Sequence, residues 1–195
     1  MAKSELRDTD KGWREMLRAA QALAGGAYVK VGILGDDERG GLHKTDPTTG
    51  KASPLTVAEI AVVNEFGTED GHVPQRSFVR STFDRMREEL ERDAAKLIVQ
   101  VVLDRKMTVE AALSILGLKL ATGIRSTIVD GSGVPPPNAP STARAKARGT
   151  GKAREKAIAG ARPLVDTGAM LAAISYGVVL GTVEKAHKFL TGRKG

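Results

Sequence analysis

The sequence predicts an α+β fold: long helices packed on a small antiparallel or mixed β-sheet, with an extended basic arm and a long polar loop. Three observations lead there. Apolar residues recur at three- and four-residue steps through Arg76–Val129, which is helical spacing. Two β-branched runs, Tyr28–Leu34 and Ile174–Val183, stand on either side of that stretch and suit paired strands. Hydrophobic residues make up 41% of the chain but aromatics only 4%, so the core has to be aliphatic and alanine-rich, which favours helices.

Taken in order, Ser4–Leu23 carries Leu6, Trp13, Met16, Leu17, Ala20 and Leu23 among charges, an amphipathic helix stopped by Gly25-Gly26. The first strand alternates, with Tyr28, Lys30, Gly32 and Leu34 on one face and Val29, Val31 and Ile33 on the other. Residues 35–53 form the long polar loop, read as a hairpin arm or tip that orders against a neighbour. Leu55–Val63 is a short helix, capped by Ser53-Pro54 or by Thr56 and closed by a left-handed Gly67. Pro74 bars a helix through Val73, and a long helix then runs from Arg76 to Lys106, roughly 45 Å at 1.5 Å per residue. Its apolar stripe is Val79, Phe83, Met86, Leu90, Leu97 and Val101.

Thr108 caps the next helix, Val109–Val129, with Ala112, Ile115, Leu116, Leu120, Ile124 and Ile128 periodic along it. Gly117 and Gly123 weaken it by about 1 kcal/mol each unless a neighbour packs closely there. A stiff proline-rich leader, Val134–Pro140, introduces the basic arm, residues 134–162, parts of which are sequences able to become helical. Asp166-Thr167-Gly168 caps a short helix over Ala169–Ala173, ahead of the last strand and a fraying basic tail, 184–195. A chain of 195 residues and 20.6 kDa suits a single domain, 1–195, with these appendages.

Composition narrows the function classes. The absence of cysteine rules out disulfides, zinc thiolates and cysteine nucleophiles, and fits synthesis in a reducing cytoplasm. Lys, Arg or Asp interrupts each of the better apolar runs, so no membrane span is expected. The opening Met1–Glu5 lacks the apolar core of a signal peptide. The net charge is +7, and the arm alone supplies +6: Arg144, Lys146, Arg148, Lys152, Arg154, Lys156 and Arg162 face the single acid Glu155. Such a cluster attracts polyanions in a salt-dependent way. No aromatic lies between Pro135 and Pro163 to stack on bases, and no recognition-helix pattern of Arg or Asn is present to read a sequence.

Catalytic sets fail on inspection. Gly149-Thr150-Gly151-Lys152 mimics the end of a phosphate-binding loop, but Lys146 stands in the first glycine slot and Ala153 where Ser or Thr should hold magnesium. Gly50-Lys51 fails likewise, with Thr45 and Ala52 at those places. His43, His72 and His187 are scattered, and Glu65, Glu69, Asp70 and His72 lack ligand spacing on a helix. Asp166-Thr167-Gly168 occurs once, whereas the aspartic protease triplet works as a pair. No enzyme activity, cofactor or metal is expected.

The most distinctive stretch is the corner between the short helix and the long one: Asn64-Glu65-Phe66-Gly67-Thr68, a short loop, then Pro74-Gln75-Arg76-Ser77-Phe78. With the second block Pro163-Leu164-Val165-Asp166-Thr167-Gly168-Ala169-Met170-Leu171, it resembles the tail-completion (neck, or head–tail joining) proteins of long-tailed bacteriophages. Ser141-Thr142 followed by basic residues is also family-like, and the matching region runs from about Val29 to Val179. The long basic arm and the short tail beyond Tyr176 depart from the family. The resemblance implies a virion structural protein made in the host cytoplasm, a homo-oligomeric ring of six copies at the neck. It would stand between the connector or stopper and the tail terminator or tail tube, with genomic DNA passing through its lumen and no membrane involved. Phe66, Gly67, Pro74, Arg76 and Phe78 would shape the corner against a core or a neighbouring subunit. The alternative is an accessory protein that binds DNA through the arm without sequence preference.

Overall fold

The computed structural model describes residues 12–34, 43–45, 50, 52–130, 135–147, 150–159, 164 and 168–180, excepting the side chains of 43–45, 52–54, 145, 146, 156, 158 and 159. The fold is α+β and mostly helical. The described residues fall into two compact units: one comprises 12–29, 90–116 and 178–180, and the other the remaining residues from 30–89 and 117–177.

In the first unit, helix α1 (Trp13–Ala24) ends where Gly25 and Gly26 donate their N–H groups back to Gln21 and Leu23. Gly26 has φ +80, the left-handed geometry that glycine adopts without steric cost. The core of this unit is Leu97, Val101, Val109 and Ala112, with Ala19, Ala22 and Leu23 of α1 packed on it. That inward face differs from the expected stripe. Trp13 (62% exposed) and Leu17 point outward, because the alanines let α1 approach more closely than its large side chains would.

Strand β1 (Tyr28–Ile33) pairs with β4 (Ile174–Val179), as expected, and its Val31 and Ile33 pack on the core of the second unit. Within the long polar loop, β2 (His43–Thr45) forms an antiparallel pair with β3 (Ala52–Thr56). The rest of that loop, 35–42, 46–49 and 51, lies outside the described residues. Because β3 continues to Thr56, helix α2 begins at Val57 and runs to Phe66. Thr56 is its cap: Glu59 N–H donates to the threonine hydroxyl, and the Glu59 carboxylate accepts from Thr56 N–H at 2.7 Å, a complete capping box.

Helix α3 (Val79–Val102) and helix α4 (Val109–Asp130) contribute to both units. The core of the second unit consists of Phe78, immediately ahead of α3, Ala121, Ile124 and Ile128 of α4, and Val57, Ala61, Met170, Ala173 and Ile174. The α3 stripe departs from its expectation at one position: Thr82 is fully buried and Phe83 is 44% exposed. The Thr82 hydroxyl is satisfied by Phe78 C=O and lies 2.6 Å from the Thr127 hydroxyl. Thr127 in turn donates to Gly123 C=O and accepts from Arg85 at 2.6 Å, so the polar pair carries its own partners into the core.

Gly123 is where the two helices come close, since a Cβ there would run into the Met86 sulfur. The Thr108 hydroxyl accepts from Ala111 N–H and caps α4 as read from sequence. The expectation that no run could span a bilayer needs correction for α4, which is long and apolar enough to do so by length and composition alone. Within that helix Ala121, Ile124 and Ile128 are core residues, and Lys119 pairs with Glu89 at 2.6 Å.

The basic arm contains two helices, α5 (Pro140–Lys146) and α6 (Gly151–Ala159). Helix α7 (Ala169–Ala173) leads directly into β4, with Met170 and Ala173 buried. Expectations for Ser4–Leu6, 131–134, Arg162, 181–183 and the tail 184–195 fall outside the described residues.

Candidate functional site

The corner is organised by Glu65. This residue sits in the last turn of α2, faces inward and is 8% exposed. Its carboxylate accepts four hydrogen bonds: Phe78 N–H (2.8 Å) and Val79 N–H (2.9 Å) at Oε2, Arg80 N–H (3.0 Å) and the Ser77 hydroxyl (2.7 Å) at Oε1. A helix leaves its first N–H groups without intrahelical partners. An N-cap side chain normally serves them, but the residue before α3 is Phe78, whose ring is buried in the core. A carboxylate from a different helix takes over that duty, with its charge at the positive end of the α3 dipole.

Gly67 is required twice. Its φ of +76 and ψ of −179 differ from the left-handed closure expected and lie in a region essentially confined to glycine. A Cβ there would also stand 2.8 Å from Gln75 N and 3.0 Å from Val73 O. Thr68 and Val73 then tie off the loop: Thr68 N–H donates to Val73 C=O at 2.9 Å, and Val73 N–H donates to the Thr68 hydroxyl at 2.9 Å. The Asp70 carboxyl between them is exposed and accepts from His72 N–H at 3.0 Å. A hydrogen bond from the Thr68 side chain, followed by the one from His72 N–H, holds it below the ordinary aspartate value.

Asn64 closes the end of α2, accepting Arg76 N–H on its carbonyl at 2.7 Å while its amide donates to Ile60 C=O. The Arg76 side chain is buried at 8% exposure and donates from Nε to Pro136 C=O (3.0 Å) and from Nη2 to Pro137 C=O (3.3 Å). Burial pushes its guanidinium below its ordinary value.

The two sequence blocks converge. A cleft of about 460 Å³ is lined by Asn64, Pro74 and Arg76 from the corner and by Leu164 and Met170 from the second block. The proline-rich leader and the start of α5 complete it through Pro137 and Thr142. Gly168, with φ +77, precedes α7, whereas Asp166 and Thr167 lie outside the described residues.

Phe66 does not plug a core. It is 69% exposed, one helical turn from Val62 at 56%. Its neighbour Glu65 faces inward to reach α3, and consecutive positions on a helix point about 100° apart, so Phe66 is carried outward. Phe78 is the buried aromatic of the corner, 1% exposed.

On the arm, Arg144, Lys152 and Arg154 are exposed. The side chains of Lys146 and Lys156, and all of Arg148, lie outside the described residues. Ser77, His72, Thr142 and Met170 join the corner or the cleft although the sequence assigned none of them a site role. Ser77 lay inside the motif, but nothing in its spacing marks it as a donor to a residue twelve positions earlier.

Comparison of the chain with family models, with curated proteins and with solved structures gives no significant match.

Proposed function

We propose that the chain is a virion structural protein of the head–tail junction of a long-tailed bacteriophage. On this reading it is a ring-forming tail-completion adaptor linking connector or stopper to tail terminator or tail tube around the DNA channel. The observation that carries the reading is the meeting of the two motif blocks. Residues nearly a hundred positions apart, Asn64 to Arg76 and Leu164 to Met170, line one cleft, so the resemblance rests on a structural unit rather than on two isolated strings. The outward Phe66 and Val62 supply an apolar contact of the kind a ring of identical subunits needs. The work is mechanical: one ring surface is adapted to another. Electron micrographs of particles made without this protein test the reading. Unjoined heads and tails are expected; intact infectious particles would overturn it.

A second reading is favoured by the exposed Arg144, Lys152 and Arg154 on α5 and α6: an accessory protein that coats duplex DNA without sequence preference. Titrating the free protein with duplex DNA across salt concentrations separates the two. If about five phosphates are neutralised, the logarithm of the binding constant falls by about 4.5 per decade of salt. A free protein that binds no duplex DNA at low salt rejects this second reading.

A further inference from the structure

We infer that the cleft beside Arg76 is a binding site for a carboxylate-bearing peptide segment of a partner protein, received between the corner and the start of α5. Arg76 is more than nine-tenths buried, yet its guanidinium donates to two neutral carbonyls, those of Pro136 and Pro137. Among the described residues no carboxylate pairs with it. Buried charges are ordinarily matched by an opposite charge, because neutral dipoles replace only part of the lost hydration. The two carbonyls engage Nε and Nη2, no other described residue claims the rest of the guanidinium fork, and that fork fits a carboxylate with two parallel hydrogen bonds.

The surroundings select the ligand class. Arg76 shares the cleft with the polar Asn64, His72 and Thr142 and with the apolar Leu164 and Met170. An acidic side chain flanked by aliphatic residues matches one cation set among apolar walls. A nucleic-acid backbone would instead present a row of phosphates, and it is served by rows of exposed cations such as those of α5 and α6. The volume of about 460 Å³ lies in the range of sites that hold a few side chains. This inference stands on the chemistry of the cleft and does not require the ring.

The test uses the full chain and follows the Arg76 Nε–H and Asn64 side-chain amide signals by NMR. Acetyl-Leu-Glu-Leu-amide is titrated against acetyl-Leu-Gln-Leu-amide, with inorganic phosphate and a duplex DNA as further probes. The glutamate peptide is expected to shift both signals saturably at millimolar concentration, at least about tenfold more tightly than its glutamine isostere. An Arg76→Gln variant that stays folded is expected to lose that preference. Because this change also removes the bonds to the proline carbonyls, the peptide pair on the unaltered protein decides by itself. Equal curves for the two peptides overturn the inference. So does an unmoved Arg76 signal, or tighter occupation by phosphate or duplex DNA.

Discussion

A single carboxylate joins two helices at this corner, and its removal should be felt well beyond its own contacts. Glu65→Ala strips Phe78, Val79 and Arg80 of the acceptor for their N–H groups and leaves the Ser77 hydroxyl unmatched. The expected loss is on the order of 3 kcal/mol, read as a lower urea midpoint at unchanged slope. Glu65→Gln should cost less, since one oxygen remains to accept while the amide nitrogen meets donors; a midpoint equal to the parent for both variants would remove Glu65 from this role. Gly67→Ala should cost about 2 kcal/mol or more in a thermal melt, because both the backbone angle and the space near Gln75 N oppose a methyl group. The sequence marked both residues as part of a corner but could not say what each does. The need for an unusual residue at position 67 is visible from glycine between two helices; that its angles are not those of a helix closure is set by Val73 and Gln75, which reach it only after the loop has folded back. The role of Glu65 could not be read from the sequence because three of its four partners are backbone groups, and backbone groups leave no trace in residue type.

At the level of the element, existence and order were readable and facing was not. Helices α2, α3, α4 and α7 and the β1–β4 pair follow from spacing, glycine stops and capping hydroxyls. Which residues point inward depends on what arrives opposite. In α1 the alanines won over Trp13 and Leu17, and in α3 Thr82 won over Phe83 because Thr127 came to meet it. The hairpin of β2 with β3 was legible only as a possibility, since so short a pairing has too few residues for alternation to show. The loop from Thr68 to Val73 offers a pH test at this scale. Its Asp70 carboxyl is held below the ordinary value, near 3.9 for a free side chain, so its contribution is complete above that value and is lost as pH falls through the folded one. The protection of the His72 amide against exchange, corrected for the intrinsic pH dependence of exchange, should therefore fall on acidification, and an Asp70→Asn variant should show no such acid step.

For the whole molecule, the balance between hidden and displayed apolar surface is what bears on assembly. Phe66 and Val62 contribute little to the fold in their displayed position, so Phe66→Ser combined with Val62→Ser should shift stability by no more than about 1 kcal/mol. The same variant should fail to join heads to tails when it replaces the parent protein, as seen in micrographs of the particles. Normal joining would show that this face has no partner. The arrangement of the corner also frees evolution in one direction. Because Thr68 and Val73 pin the two sides of the loop at its neck, and Glu65 fixes the corner from inside, the tip carrying Gly71 adds only local bonds, Gly71 N–H to Thr68 C=O and His72 N–H to Asp70. Two residues added between Asp70 and Gly71 give up those local bonds and lengthen the loop slightly, and should leave the unfolding free energy from a urea titration within about 1 kcal/mol of the parent. The tip is thus a place where length and charge can drift to suit a new neighbour while the hinge beneath it keeps its shape.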